Sequence, residues 1–147
     1  MRNLLLSLLA IGAVSLPANA QAPAPQHGLK TGNIVFVYTG EVLPGQMDNF
    51  KQVATKVIAA VAQEPGTLMY EWSLRPDGKT FEAVELYQNS DAAVAHVKHV
   101  VSEFGKDLGQ VQKELGLAVY GSPDAQAKQV LAPLNPVYTT PIDGFVR

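Results

Sequence analysis

The chain contains no cysteine, and that absence removes several kinds of chemistry at once. Without a thiol, the protein has no cysteine nucleophile, no iron–sulfur cluster and no cysteine-ligated zinc site. It also forms no disulfide, even in a compartment that would permit one. Any catalysis must therefore use side chains other than cysteine.

An excess of positive charge is also missing. Eleven Lys and Arg residues face 13 Asp and Glu residues, which gives a formal net charge of −2. Because affinity for nucleic acid depends on neutralising phosphates with Lys and Arg, this balance predicts no nucleic-acid partner. The hydrophobic share of 47% suits a globular core.

The first twenty residues have the features of an export signal. Arg2 supplies a positive charge, residues 4–16 are apolar, and Ala18-Asn19-Ala20 is a small-residue cleavage site. The apolar run is shorter than the roughly 20 residues that span a bilayer. Because of this length, no membrane anchor is expected. Because no cysteine follows the run, no lipid anchor is expected either. The sequence predicts a signal peptide over residues 1–20, cleaved after Ala20, and a periplasmic or secreted protein with no stable membrane insertion.

A flexible lead-in, rich in Pro, Ala and Gly and containing His27, is predicted over residues 21–32. The domain that follows, residues 33–121, alternates between strand and helix patterns. Its predicted elements are strands at 33–40, 67–75, 80–88 and 115–120, a helix at 46–63, and a second helix that starts near Ser90 and weakens at Gly105 and Gly109. The order β-α-β-β-α-β predicts an α+β, ferredoxin-like antiparallel sheet.

Residues 122–147 are predicted to form a C-terminal extension. Asp124 to Leu131 follows a Ser-Pro start and reads as a short helix. Three prolines, Pro133, Pro136 and Pro141, then argue against regular structure. The apolar residues of this tail indicate that it packs against the domain rather than floating free.

Two helices cover only one face of a four-stranded sheet, and this leaves the other face to be explained. The first strand is apolar on both faces, with Ile34 and Phe36 on one side and Val35 and Val37 on the other. A second copy of the chain is the economical cover, so the pattern predicts a homodimer through the sheet face. The alternative is that the C-terminal tail folds over that face.

The runs EPGTLMYEWSL, FEAVELY and SDAAVAHVKH resemble the antibiotic-biosynthesis-monooxygenase-like domain over roughly residues 33–120. This resemblance implies a dimeric α+β barrel, a pocket between sheet and helices, and relatives that include cofactor-independent oxygenases acting on quinols and anthrones. The haem-degrading branch of the superfamily uses an Asn in the first strand, where this chain has Tyr38. The only tryptophan, Trp72, lies in a strand, so haem degradation is not expected.

His96 is the candidate general base, since a cofactor-independent oxygenase must deprotonate its phenol or quinol and imidazole suits that task near neutral pH. The helical pattern places His96 at the edge of the pocket and His99 towards solvent. The alternative for His96 is a partly exposed helix residue without a role. His96, His99 and Glu103 share a helix face, but a single exposed helix lacks the supporting groups of a metal site, so no metal is predicted.

Glu85 is an acid on an otherwise apolar strand face, so it needs a partner such as Arg75 or His96 and is the second catalytic candidate. Aromatic residues Tyr70, Trp72 and Tyr87, together with His99, are candidate substrate contacts. Core packing or a dimer contact is the competing explanation for the aromatic residues.

These observations predict an exported, cofactor-independent monooxygenase that acts on a small aromatic or quinol molecule. The competing function is a non-catalytic, exported dimeric module that binds a small apolar ligand or a partner protein.

Overall fold

The computed structural model describes residues 32–142. The predicted signal peptide, most of the lead-in with His27, and the last five residues therefore lie outside the described residues. In chain order, the elements are β1 (Ile34–Val42), α1 (Met47–Val61), β2 (Thr67–Leu74), β3 (Thr80–Tyr87), α2 (Ser90–Val111), β4 (Gln112–Gly121), α3 (Ala125–Leu131), a 3₁₀ turn (Ala132–Leu134) and β5 (Val137–Tyr138).

The sheet has the strand order β2-β3-β1-β4-β5, and its first four strands pair antiparallel. This arrangement confirms the predicted α+β, ferredoxin-like fold. The expectation that the prolines exclude regular structure is wrong at one place, because Val137 and Tyr138 form β5, parallel to β4. A two-residue edge strand requires few backbone donors, so flanking prolines are compatible with it.

Both long helices pack on one face of the sheet, here called the helix face. Side chains from alternate positions of β1 and β3 form its floor, including Ile34, Phe36 and Phe81, all of them buried. Helix α1 contributes Phe50 and Val57 to the same core. Burial of these apolar side chains supplies most of the driving force for the fold.

Helix α2 runs unbroken through Gly105 and Gly109, so the predicted weakening does not end it. The Asn89 side chain caps its start by accepting a hydrogen bond from Ala92 N at 2.9 Å. The apolar side chain of Val101, in the middle of this helix, is 61% exposed. None of the helices among residues 32–142 is both long enough and apolar enough to cross a membrane.

The opposite, outer face of the sheet carries Val35, Val37, Val84 and Leu86, which are only partly buried. None of the described helices packs on this face. Strand β5 extends the sheet beyond β4 instead of folding over the outer face. The described part of the tail therefore does not provide the cover that the alternative required.

Candidate functional site

A cavity of about 410 Å³ lies between the helix face of the sheet and α2. Its walls are mainly aromatic and aliphatic, with five aromatic side chains from the first three strands: Phe36, Tyr38, Tyr70, Trp72 and Phe81. The polar groups in the lining are Glu85, His96, Gln112 and Glu114. An apolar cavity with a few convergent polar groups is the usual form of a small-molecule site.

His96 projects from α2 and lines this cavity, and it is only 4% exposed, so it is not the partly exposed helix residue of the alternative. Its Nδ1 lies 2.9 Å from Glu64 Oε2, and its Nε2 lies 3.7 Å from Glu85 Oε2. The rings of Tyr70 and Tyr87 pack against it at centroid distances of 5.2 and 5.1 Å. Burial lowers the pKa of His96 against the opposing effect of Glu64, so the imidazole is neutral at pH 7.

Glu64 is a site residue that sequence reasoning missed, although it opens the quoted Glu-Pro-Gly run. Its carboxylate accepts a 2.6 Å hydrogen bond from the Thr67 hydroxyl and contacts both His96 and His99. Partial burial alone would raise the pKa of Glu64, but these hydrogen bonds outweigh it and hold the pKa below its ordinary value. Glu64 is therefore an ionised partner for both histidines.

The turn that carries Glu64 sits directly against the start of α2. A side chain at Gly66 would place its Cβ 2.5 Å from Ala92 Cβ, so only glycine fits this close approach. Gly66 O also accepts a hydrogen bond from Gln88 N at 2.9 Å. The Pro-Gly turn is thus the local feature that brings Glu64 beside α2.

Glu85 points from β3 into the cavity and is buried. The Tyr87 hydroxyl donates a hydrogen bond to it, and Arg75, the partner suggested by the sequence, instead pairs with Glu82 at 2.5 Å. Burial raises the pKa of Glu85 to about 8, with the negative charge of Glu64 adding to the shift. Glu85 therefore carries a proton at pH 7, which makes it a hydrogen-bond donor and a proton source rather than a charged base.

His99 does not face solvent alone, because each of its ring nitrogens meets a carboxylate. Nδ1 lies 2.6 Å from Glu64 Oε1, and Nε2 lies 2.8 Å from Glu103 Oε2. These two partners raise the pKa of His99 above its ordinary value. His99 and Glu103 lie one helical turn apart on α2. Residues 32–142 contain no group of three side chains placed to hold a metal ion.

The aromatic candidates fall into two groups. Tyr70 and Trp72 line the cavity, whereas Tyr87 is fully buried and contacts the lining residues Glu85 and His96 from behind. His99 is also absent from the lining and is connected to it through Glu64, which in turn contacts His96. The structure therefore places Tyr87 and His99 behind the two carboxylates, not in the positions of substrate contacts that the sequence suggested.

Trp72 serves both as packing and as cavity wall. Its ring stacks on Phe50 and Phe81 at 5.7 and 5.3 Å, which is the core role that the sequence left open. Its Nε1 is buried and makes no hydrogen bond of normal geometry to a described residue, although it is close enough to the Tyr70 hydroxyl to oppose the rise in the pKa of that group. Burial, with a contribution from the negative charge of Glu85, raises the pKa of Tyr70, so its hydroxyl stays protonated.

Tyr38 and Gln112 form a second polar end of the cavity that sequence reasoning did not identify. The Tyr38 hydroxyl donates to Gln112 Oε1 at 3.0 Å, and burial raises the pKa of Tyr38 to about 12. Both side chains line the cavity. The only sequence signal was the inward position of Tyr38 in its strand, since Gln112 was assigned to no element.

Comparisons with known proteins agree with this architecture. No curated protein matches the chain. Solved structures do: MupZ from Pseudomonas fluorescens has a TM-score of 0.72 at 18% identity, over 80% of this chain and 96% of MupZ. SnoaB from Streptomyces nogalater, described as a cofactor-independent oxygenase, has a TM-score of 0.51 at 15% identity, over 65% of this chain and 97% of SnoaB. A conserved protein from Methanosarcina mazei Go1 has a TM-score of 0.57 at 17% identity, over 63% and 94% of the two chains.

At such low identities these likenesses establish the fold and leave the reaction open. The family comparison is more specific, because the family model described as antibiotic biosynthesis monooxygenase matches residues 34–103. That range begins with β1 and ends at Glu103, and it includes Glu64, Glu85, His96 and His99. Residues 34–103 of this chain are therefore a domain of the antibiotic biosynthesis monooxygenase family.

Proposed function

We propose that this protein is a cofactor-independent monooxygenase that oxidises a small phenolic or quinol-type aromatic molecule, with His96 as the general base. The observation that carries the proposal is the orientation of His96. Its Nδ1 is engaged by Glu64 at 2.9 Å, while the ring itself lines the cavity. A base held by a carboxylate in this way has the geometry expected for general base catalysis.

The contact with Glu64 fixes the tautomer of His96. Because Glu64 is ionised, it accepts a hydrogen bond and Nδ1 must carry the proton. The neutral ring then has its lone pair on Nε2, on the side of Glu85. Nε2 is the atom that would take a proton from a bound hydroxyl group, and the resulting imidazolium would be stabilised by Glu64.

The proposed reaction uses dioxygen as the co-reactant. His96 first removes the phenolic proton of the substrate. The negative charge of the resulting anion is shared between the oxygen and a ring carbon. In the keto form of the substrate this carbon is a CH₂ group. That carbon forms a bond to dioxygen, and proton return yields a hydroperoxide. Loss of water then leaves a carbonyl group in place of the CH₂ group. One oxygen atom ends in the product and the other in water, so the carbon is oxidised without a further reductant.

Glu85 suits the proton-return step. It carries a proton at pH 7, and its Oε2 lies 3.7 Å from His96 Nε2, so the two groups face the same reacting centre. Tyr87 holds Glu85 in place from the buried side. A neutral His96 and a protonated Glu85 place a base and an acid at the same site, which is the arrangement that acid–base catalysis needs.

The cavity favours a planar substrate. Its volume of about 410 Å³ lies within the range of about 300–1,000 Å³ found for small-molecule sites. Tyr70 and Trp72 offer aromatic faces, and the buried Trp72 Nε1–H, which lies near the Tyr70 hydroxyl, makes no hydrogen bond of normal geometry to a described residue. An oxygen atom of the substrate would satisfy that donor.

The direct test is dioxygen uptake by residues 21–147 with 1,4-dihydroxynaphthalene and a panel of hydroxylated polycyclic aromatics. We expect turnover in metal-free buffer, and incorporation of one ¹⁸O atom from ¹⁸O₂ into the product. His96→Ala should reduce kcat by at least about 100-fold, the range for loss of a general base. Lys98→Ala, an exposed position on the same helix, is the matched control.

Three results would change the conclusion. Turnover that persists in His96→Ala would retain the enzyme and remove His96 as its base. A wild-type protein that binds these compounds, seen as a change in Trp72 fluorescence, without consuming dioxygen would favour the binding module. A protein that neither binds nor turns over any of them would refute the substrate class.

We further propose that the protein is exported and that it forms a homodimer through the outer face of its sheet. Support for the dimer comes from Val35, Val37, Val84 and Leu86, a contiguous apolar surface outside the helix-covered core. Light scattering tests the dimer, and N-terminal sequencing of the exported protein, expected to begin at Gln21, tests the cleavage.

A further inference from the structure

We propose that His99 is a positioning residue, which together with Glu103 holds Glu64 in the orientation that makes His96 a base, and does so only while the His99 ring is protonated. This inference rests on the proposed function and deepens it. His99 itself lies outside the cavity lining and touches no reacting atom.

The geometry requires a charged His99. Its two ring nitrogens lie 2.6 Å from Glu64 Oε1 and 2.8 Å from Glu103 Oε2. A neutral imidazole carries only one N–H, so one of these contacts would bring a nitrogen lone pair against a carboxylate oxygen. Only the imidazolium donates hydrogen bonds to both carboxylates at once. Loss of its proton must therefore break one of the two contacts.

The consequence reaches His96 through Glu64. His99 holds Oε1 of Glu64, while Thr67 and His96 share Oε2. When His99 loses its proton, either its contact with Glu64 or the contact with Glu103 that anchors the ring is lost, so Glu64 Oε1 is no longer clamped. Glu64 is then held firmly at Oε2 alone, where the Thr67 hydroxyl and His96 share one oxygen. His96 Nδ1 has a less firmly oriented acceptor, so its proton can move to Nε2, the atom that must be free to accept the substrate proton.

The titratable groups around the two histidines are few. Glu64, from the turn before β2, and Glu103, on α2, face His99, and the Phe104 ring lies 6.2 Å away. Those facing His96 are Glu64, Glu85 from β3, and the rings of Tyr70 and Tyr87. Glu64 is the one carboxylate that both histidines share.

The two histidines therefore define a pH window. Burial lowers the pKa of His96, so it is a neutral base above that value. The carboxylates raise the pKa of His99, so it remains a charged clamp below that higher value. Activity should rise with pH as His96 loses its proton and fall again as His99 loses its own, which gives a bell-shaped profile.

The substrate-free test is ¹⁵N NMR of the histidine side chains in residues 21–147, followed from pH 5 to pH 9. We expect His96 in the Nδ1–H tautomer at pH 7 and His99 still doubly protonated above the pKa of an ordinary histidine. His99→Leu should convert His96 to a mixture of tautomers, whereas His99→Gln, whose amide N–H can still donate to Glu64, should preserve the Nδ1–H form. An unchanged His96 tautomer in His99→Leu would overturn the proposal.

Kinetics supply a second readout. His99→Leu should lower kcat about tenfold with little change in KM, because the lost hydrogen bond to a charged group positions the base and does not contact substrate. Glu103→Gln should move the alkaline limb of the profile to lower pH, which separates His99 from the nearby titration of Glu85. An alkaline limb that stays in place in Glu103→Gln would refute the clamp. If no compound is turned over, the proposed function fails, while the tautomer experiment still decides the role of His99.

Discussion

Replacement of Glu85 by glutamine should change how the stability of this protein depends on pH. Glu85 is buried beneath the cavity, hydrogen-bonded to the Tyr87 hydroxyl and 3.7 Å from His96 Nε2. Burial raises its pKa to about 8 from the ordinary 4.5. The folded protein therefore retains a proton on Glu85 over a pH range in which the unfolded chain has released it.

The proton retained on Glu85 determines the sign and the size of the change in the free energy of unfolding with pH. A raised pKa contributes stability that is fully present below pH 4.5 and is lost as the pH rises through about 8. Over that range, the wild-type free energy of unfolding should fall by about 1.4 kcal/mol per pH unit because of this residue alone. Between pH 5 and pH 8, the loss amounts to roughly 3 kcal/mol.

Glutamine has nearly the same shape and stays neutral, so Glu85→Gln should lack this loss. The assay is urea unfolding followed by circular dichroism at pH 5, 6, 7 and 8, at one fixed protein concentration. The quantity to compare is the difference between variant and wild type, because His96 and His99 titrate in both proteins. Glu82→Gln on the same strand is the control, since its side chain lies at the surface and pairs with Arg75. Parallel curves for wild type and Glu85→Gln would refute the raised pKa and, with it, the assignment of Glu85 as proton source.

The remaining predictions concern packing and assembly. Gly40→Ala should destabilise the fold by about 1–3 kcal/mol in the same unfolding assay, because the new Cβ would lie 2.5 Å from the Phe81 ring; an unchanged midpoint would contradict this. Gly109→Ala should stabilise α2 by up to about 1 kcal/mol, since nothing lies within 4 Å of the added methyl group. The same change narrows the cavity, so quenching of Trp72 fluorescence by 1,4-dihydroxynaphthalene should weaken, and unaltered binding would exclude Gly109 from the site. Val37→Glu on the outer face should convert the proposed dimer to a monomer in light scattering, and a persistent dimer would place the interface elsewhere.

The sequence was informative where local pattern determines structure. Alternation along Phe81, Ala83, Glu85 and Tyr87 predicted a strand with an acid on its buried face, and β3 has that form. The boundaries of the elements were harder to predict. For example, β4 begins at Gln112 and not at Leu115 as predicted. Its first three residues are polar, so they carry no apolar signal, and they are strand because their backbone pairs with the end of β1.

Helical periodicity was a weaker guide to the site. It placed His96 at the edge of the pocket and His99 towards solvent, whereas His96 is buried and both ring nitrogens of His99 contact carboxylates. Periodicity gives the direction in which a side chain points from its own helix. It does not show which other segment of the chain packs against the helix in that direction. In this protein the turn at Gly66 packs against Ala92 and covers His96. That contact joins segments remote in sequence, and no pattern within α2 contains it.

The same contact explains why two histidines three positions apart differ in character. Glu64 offers one oxygen to each, so the carboxylate by itself would favour the charged form of both. Burial decides between them: His96 is enclosed by Tyr70, Tyr87 and the cavity wall, and desolvation makes it neutral despite its partner. His99 is partly exposed and contacts a second carboxylate, that of Glu103, so its pKa is raised and the charged form is favoured. One glutamate on a Pro-Gly turn thus contacts two histidines whose pKa values shift in opposite directions, and this difference is the basis of the roles proposed for them, a base in the cavity and a clamp at the surface.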